Sequence, residues 1–313
     1  MFTEFTLGFL LALFCAICWA ALDISRKRLG AKMTATGATA GLMLLHVVYL
    51  GPLLAVGSAV DGGDDVASQI LLAGMPELTT YYFMISSVSV VLNLGANFLF
   101  LRAVQISPLS LTTPYLAFTP VFSALIALIF LGQIPSTYGW LGIGIVAVGA
   151  FFMNPGRDGD GPLRALKALW SERGSFYMLV VALLWGITPA LDKTATDLTN
   201  PLWHTAFLAA SVGVIFVAIA WGRDKSLAPL IAEFRAIPKL LCLAGLFAVG
   251  AMLLQLSSYA YIDVAYVETI KRGVGVIGAI AAGYFLFGER DIGRRLLGAL
   301  VMVIGVAMIL MAG

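Results

Sequence analysis

The stretch VAYVETIKRGVGVIGAIAAGYFLFGE, residues 264–289, is apolar along almost its whole length, yet Lys271 and Arg272 stand about seven residues inside it. A helix needs about 20 mostly apolar residues to cross the roughly 30 Å of a bilayer at 1.5 Å each. This stretch is long enough. A cation near mid-membrane costs at least ~2.5–3.5 kcal/mol, so two adjacent ones persist only where they face a wet or protein-lined cavity. Neighbours in a helix are turned by about 100°, so both side chains can border one cavity and point to different parts of it. The segment reads as one helix of a polytopic bundle with a polar interior.

The rest of the chain agrees. Of 313 residues, 60% are hydrophobic and 12% charged, whereas a water-soluble chain carries about a quarter charged residues. So few charges cannot cover a water-facing surface, and most of the surface must face lipid. A net charge of +2 with no basic block interleaved with aromatics excludes nucleic acid as a partner. Cys15, Cys18 and Cys242 lie in apolar runs, and no further Cys or His completes a metal set near the C-x-x-C pair. His46 and His204 stand alone and read as buried or interfacial imidazoles with local partners. The first apolar run lacks the basic start of a secretory signal, having Glu4 there, and Arg26-Lys27-Arg28 follow it, so it is expected to stay as a span.

The spacing of apolar runs predicts an all-α membrane protein of ten transmembrane helices, roughly 5–25, 36–58, 79–103, 109–132, 138–154, 175–194, 202–222, 240–260, 265–287 and 295–312. The runs are continuous and do not alternate, which favours helices over a barrel. Lys and Arg crowd into the odd-numbered connections: Arg26, Lys27, Arg28 and Lys32, then Arg102, then Arg157, Arg164, Lys167 and Arg173. The series continues with Arg223, Lys225, Arg235 and Lys239, and ends with Arg290, Arg294 and Arg295. Even connections and both termini have essentially none, and the loop after the second span has Asp61, Asp64, Asp65 and Glu77. The positive-inside rule then places the odd connections in the cytoplasm and both termini outside, in the inner (cell) membrane of a prokaryote. Residues 163–170 and 226–240 set Leu, Trp and Ile between Lys and Arg, as short interfacial helices do, although mobile loops would read the same way.

An internal repeat divides the chain. Gly132 matches Gly288, Gln133 matches Glu289, Gly142 matches Gly298 and Gly149 matches Gly305 at one constant offset, while Trp19 and Trp185 share a second offset with Lys27 and Lys193. The chain is thus expected to be a single domain: repeat one over 1–154, an inner loop over 155–174 and repeat two over 175–313. Five spans per half make the second half enter the membrane from the opposite side, an arrangement suited to rocking about a central site. The glycines of the fifth and tenth spans favour close packing, against each other or against a second copy; a homodimer and a monomer are both open. The Trp-then-Lys first helix, Phe130-Leu131-Gly132-Gln133 and Leu286-Phe287-Gly288-Glu289 resemble the EamA-type members of the drug/metabolite transporter superfamily. That resemblance implies a transporter but no particular substrate.

Lys193, late in the span 175–194, is expected at a depth similar to Lys271, so that Lys193, Lys271 and Arg272 converge on an anion. Lys acts there as a point charge, and Arg can grip two oxygens in parallel. Glu268 lies three residues before Lys271 and four before Arg272 and can pair with either. Three positive charges and one negative leave +2, which suits a phosphate monoester dianion. A blander reading makes Glu268 and Arg272 a structural pair with Lys193 reaching outward. Lys271-Arg272-Gly273-Val274 and Lys193-Thr194-Ala195 are similar to segments of the plastid triose-phosphate/phosphate translocators. That resemblance implies that Lys193, Lys271 and Arg272 hold a phosphate group. Gln255 matches a glutamine of that family, but Leu253 stands where it has a tyrosine.

Further candidates are Asn93 and Asn97, one face of a helix, serving a ligand or a neighbouring helix. Tyr115, the repeat mate of Lys271, and Trp19 and Trp185 suit either cavity wall or core. Asp23 and Lys27 read as a structural pair or inner gate. No nucleophile set, carboxylate pair or metal set converges, so an enzyme is not expected and no cofactor is implied. The expected function is secondary transport of a small organic anion, possibly a phosphorylated metabolite in exchange for phosphate. The alternatives are a proton-coupled exporter of amino acids or other amphiphiles, with Glu268 titrating, and a non-transporting scaffold.

Overall fold

Apolar runs punctuated by Pro, Gly and Asn become helices whose ends are set by those residues. In a computed structural model, the described residues are 4–57, 76–106, 113–152, 173–287 and 293–311, and their regular structure is helical throughout. The helices are α1 (Glu4–Leu29), α2 (Ala35–Gly57), α3 (Thr80–Ile106), α4 (Thr119–Leu131) and α5 (Thr137–Phe152). They continue as α6 (Arg173–Asp197), α7 (Pro201–Asp224), α8 (Ala228–Ala236), α9 (Pro238–Ser258), α10 (Val264–Phe287) and α11 (Gly293–Leu310). Six of them, α1, α2, α3, α6, α7 and α9, are long and apolar enough to cross a bilayer, and shorter apolar helices cover Tyr115–Leu131, Thr137–Gly149 and Leu297–Ile309. Large side chains such as Phe98, Ile129 and Phe130 are about 70% exposed, as expected where the solvent is acyl chain.

The run expected as one span over 109–132 is broken. Thr113–Phe118 forms a 3-10 turn, and α4 begins only at Thr119. Pro120 fits the break, because it has no N–H to continue an α-helical ladder from the preceding turn and is welcome in a first helical turn. The break leaves Thr119 buried at the start of α4.

The other end of α4 explains the Gly132-Gln133 motif. Gly132 adopts φ 66° and ψ 15°, a left-handed conformation that glycine enters without strain. The chain then turns so that Gln133 Oε1 accepts the backbone N–H of Val264 at 3.1 Å. Tyr266 OH accepts the Ser136 N–H at 3.1 Å. The first bond satisfies an orphan amide of α10, and the second satisfies the Ser136 amide just before α5 and so ties that helix to α10.

Packing joins one half of the chain to the other, in matched pairs. α1 lies against α9 as α6 lies against α3, and α1 lies against α10 as α6 lies against α4. α2 pairs with α7, and α5 with α11. Exchanging the halves turns the first four of these pairings into one another and leaves the last two as they are.

The glycines of α5 and α11 are used inside the chain. A Cβ on Gly142 would come 2.6 Å from the Gly305 carbonyl, and one on Gly149 would come 3.1 Å from the Gly298 carbonyl. Backbones in this contact leave no room for a side chain. A second copy is not needed to explain these residues.

The segment 226–240 contains α8, which has Leu230 buried against Ala40 and Ala220. Its Glu233 carboxylate accepts both the backbone N–H and the hydroxyl of Thr34 at 3.1 Å, just before α2. The basic connections α1–α2 and α7–α9 therefore share one end of the bundle. The companion segment 163–170 lies outside the described residues, as does most of the loop after α2.

Candidate functional site

The two cations of α10 have different surroundings, although they are neighbours in sequence. Lys271 Nζ donates to Glu268 Oε1 at 2.7 Å and to Gln255 Oε1 at 3.0 Å, and lies 5.4 Å from the centre of the Trp19 ring. Glu268 is 4% exposed and its Oε1 also accepts from Gln255 Nε2 at 3.3 Å and Tyr259 OH at 3.2 Å. Gln255 Nε2 donates in addition to Tyr259 OH at 2.7 Å, and Trp19 Nε1 donates to Gln255 Oε1 at 2.9 Å. α1, α9 and α10 thus close one hydrogen-bonded group in which the ammonium and carboxylate charges match. Burying either charge is tolerable only with such partners.

Arg272 is turned toward α4. Among the described residues its one hydrogen bond runs from Nη2 to Thr119 Oγ1 at 3.4 Å, and no carboxylate lies within ion-pair distance. A guanidinium has five N–H donors in a planar fork. It remains partly exposed. The Thr119 contact depends on the Pro120 break.

Lys193 does not join this group. Its ammonium meets Asp197 at 2.9 and 3.0 Å, a residue one helical turn later. Across the bundle it acts on Asp263, where burial pushes the carboxyl above its ordinary range and the Lys193 charge pulls it back. Asp263 precedes Lys271 by about eight residues, or ~12 Å along a helix axis. The expected convergence of three cations is therefore replaced by two, with Glu268 taken by Lys271 and not by Arg272.

The remaining candidates separate as well. Trp19 belongs to the Lys271 group. Trp185 is 5.9 Å from Phe100, ring to ring, and packs with buried Tyr115, Met178 and Val181 between α3 and α6. Both Tyr115 and Trp185 are thus core residues. Asn93 and Asn97 bond back to the carbonyls of Ser89 and Asn93 in their own helix at 3.1 and 2.7 Å. Asp23 meets Arg26 at 3.3 Å; the Lys27 side chain lies outside the described residues. His46 has its expected local partner, the Leu42 carbonyl, at 2.8 Å.

Sequence reasoning passed over a second polar group. Asp192 of α6 is 7% exposed, accepts from Ser89 Oγ of α3 at 2.5 Å and lies 3.4 Å from His204 Nε2 of α7. His204 is fully buried, and its Nδ1 is 3.2 Å from Tyr82 OH. The signal was present, since Asp192 is an ionisable residue inside a span, next to Lys193. Tyr259 and Thr119 were also missed, being ordinary residues until packing placed them.

Comparison with known proteins adds a lineage. The model of the EamA-like transporter family matches the sequence twice, over residues 6–154 and 172–311. A solved structure, titled only as the crystal structure of a protein, aligns over 97% of this chain and 97% of its own, with TM-score 0.69 and 14% identity. At that identity the likeness concerns the fold alone. No curated protein matches in sequence. These comparisons do not show the narrower likeness to the triose-phosphate/phosphate translocators that the short segments around Lys193, Gln255 and Lys271 suggest.

Proposed function

The chain belongs to the EamA-like transporter family, a multi-pass membrane transporter, and from that premise we propose that it carries a small organic monoanion by alternating access. In this reading ten helices span the bilayer as two inverted halves, both termini are outside, and the halves rock about the space beside Arg272. The observation that carries the reading is the Arg272 guanidinium, which sits in the largely apolar α10 with, among the described residues, one long hydrogen bond to Thr119. An intramembrane cation of this kind marks a substrate path, and its free donors suit two oxygens of one carboxylate or sulfonate.

Charge arithmetic favours a monoanion. Lys271 and Arg272 supply two positive charges and Glu268 one negative, leaving +1, while Lys193 is matched by Asp197. A phosphate monoester dianion would leave the closed site negative unless Lys193 left its partner. Exchange for phosphate correspondingly has less support than carriage of a carboxylate.

The test is a melting-shift and calorimetry panel on purified protein with lactate, gluconate, benzoate, benzenesulfonate, glycerol phosphate and inorganic phosphate. A carboxylate or sulfonate should raise the melting temperature of wild type, less so that of Lys271→Gln, and not that of Arg272→Gln. Arg272→Lys should lose most of the effect, because an ammonium lacks the fork. Binding that survives Arg272→Gln, or a preference for glycerol phosphate that needs Lys193, would replace this reading.

A further inference from the structure

The buried group around Asp192 has no role in gripping an anion at Arg272, and a carboxylate there is costly. Among the described residues no Lys or Arg contacts Asp192. Its partners are Ser89 Oγ at 2.5 Å and His204 Nε2 at 3.4 Å. A carboxylate withdrawn from water without a permanent cation is stabilised only by taking up a proton or by facing an imidazolium. Asp192 and His204 together can hold one proton at no net charge, as a carboxylic acid beside a neutral imidazole. Losing that proton leaves a buried charge of −1.

The group also occupies a mechanically suitable place. Ser89 and Tyr82 come from α3, in the first half of the chain, whereas Asp192 and His204 come from α6 and α7, in the second. Its protonation therefore alters an interface between the halves. The titratable groups facing Asp192 are His204 on α7 and Tyr82 on α3. Farther off stands Tyr259, after the end of α9, which lies within Coulombic reach of Asp192 and bonds to Glu268 of α10 at 3.2 Å. α4 has no titratable residue, and Lys193, next along α6, is bonded to Asp197.

We propose that the Asp192–His204 pair is a proton-binding site, and that one proton travels with each monoanion. The second half of this proposal rests on the anion reading. A negative charge at Asp192 repels an anion at Arg272, so each ligand favours the other, and such coupling is reciprocal. The proton bonds to the pair from water on the loading side and returns to water on the other. One proton with one monoanion moves no net charge across the membrane potential.

Two measurements test this. The first needs no anion: pH-jump difference infrared spectroscopy on reconstituted protein should show a carboxylic-acid carbonyl band that grows on acidification. That band should be missing in Asp192→Asn and shifted in His204→Gln and Asp192→Glu, which guard against a misfolded Asn variant. A wild-type protein without a band traceable to Asp192 overturns the proton site. The second uses liposomes with gluconate, lactate and benzenesulfonate under an acid-outside gradient. One pH unit should give about tenfold accumulation of the transported probe, the equilibrium for one proton per anion, and none in Asp192→Asn. Accumulation that ignores the gradient, or follows it equally in Asp192→Asn, overturns the coupling. If no probe shifts the melting of wild type, the anion reading fails, and the infrared result still decides the proton site.

Discussion

Replacing Glu268 with Gln separates an anion site from a structural ion pair. Glu268 and Arg272 are one helical turn apart, about 5–6 Å between Cβ atoms, so an anion held beyond the guanidinium sits ~8 Å from the carboxylate. Two like charges at that distance, at an effective dielectric constant of about 20, repel by ~2 kcal/mol. Removing the carboxylate charge should therefore tighten monoanion binding about 30-fold. The same change weakens the hold on Lys271, which keeps Gln255 Oε1 at 3.0 Å and an amide oxygen in place of the carboxylate. Stability should fall by about 1–2 kcal/mol, the difference between charged and neutral hydrogen bonds. The two consequences have opposite signs. Calorimetry with the best carboxylate of the panel should show the tighter binding while the ligand-free melting temperature drops. Counterflow in liposomes should slow, because the loaded state is held too firmly. An affinity that is unchanged or weaker in Glu268→Gln would place the anion elsewhere and leave the Glu268 group with a packing role only.

Gly142→Ala should lower the melting temperature, at a cost of about 1–3 kcal/mol for overpacking against the Gly305 carbonyl. Gly144→Ala, on the same helix but with open space around its Cβ position, should leave it unchanged or raise it. Gln133→Ala removes the acceptor for the Val264 N–H and should cost about 1 kcal/mol, as lost helix caps do. Hydrogen exchange should then speed up in the first turn of α10 and not in α9. Asp197→Asn frees Lys193 and should change monoanion affinity by less than about twofold, since ~12 Å of helix separates the Lys193 neighbourhood from Lys271; a tenfold gain would restore Lys193 to the site.

How far the sequence could be read depends on what each feature needs. Apolar length is a local property, so each expected span meets helical structure in the described residues. Pro120 is also local, yet its effect was missed because hydropathy averages over a break that costs no apolar residues. Lys271 and Arg272 were legible as anomalies, because an ionisable side chain within a span demands an explanation on its own. The partners were not. Glu268 lies within reach of both cations by helical spacing, and only packing with Gln255, Tyr259 and Trp19 from two other helices decides for Lys271. Depth alone likewise suggested that Lys193 joins Lys271, while the carboxylate one turn along its own helix holds it instead. Asp192 is as legible as Lys193, an ionisable residue in the same span, but its partners Ser89 and His204 come from two other helices that only packing brings to it.

The repeat supplies a further step. The helix pairings are preserved when the halves are exchanged. The charges do not obey that exchange. Tyr115 and Leu116 stand at the repeat positions of Lys271 and Arg272, and Tyr115 is buried in the core between α3 and α6. His204 and Asp192 belong to the second half, and in the pairing with α3 the first half contributes hydroxyls. On the proposed transport reading, the symmetric packing supplies a frame that can rock, and the charges of the second half supply its polar path. In that reading the ligands would set which arrangement of the halves is favoured, because the charged residues proposed to bind them belong to the second half. On this argument, moving the Lys-Arg pair to positions 115 and 116 would not create a second site. The Thr119 contact of Arg272 comes from a helix broken at Pro120, and the second half has Val276, not proline, at the matching position.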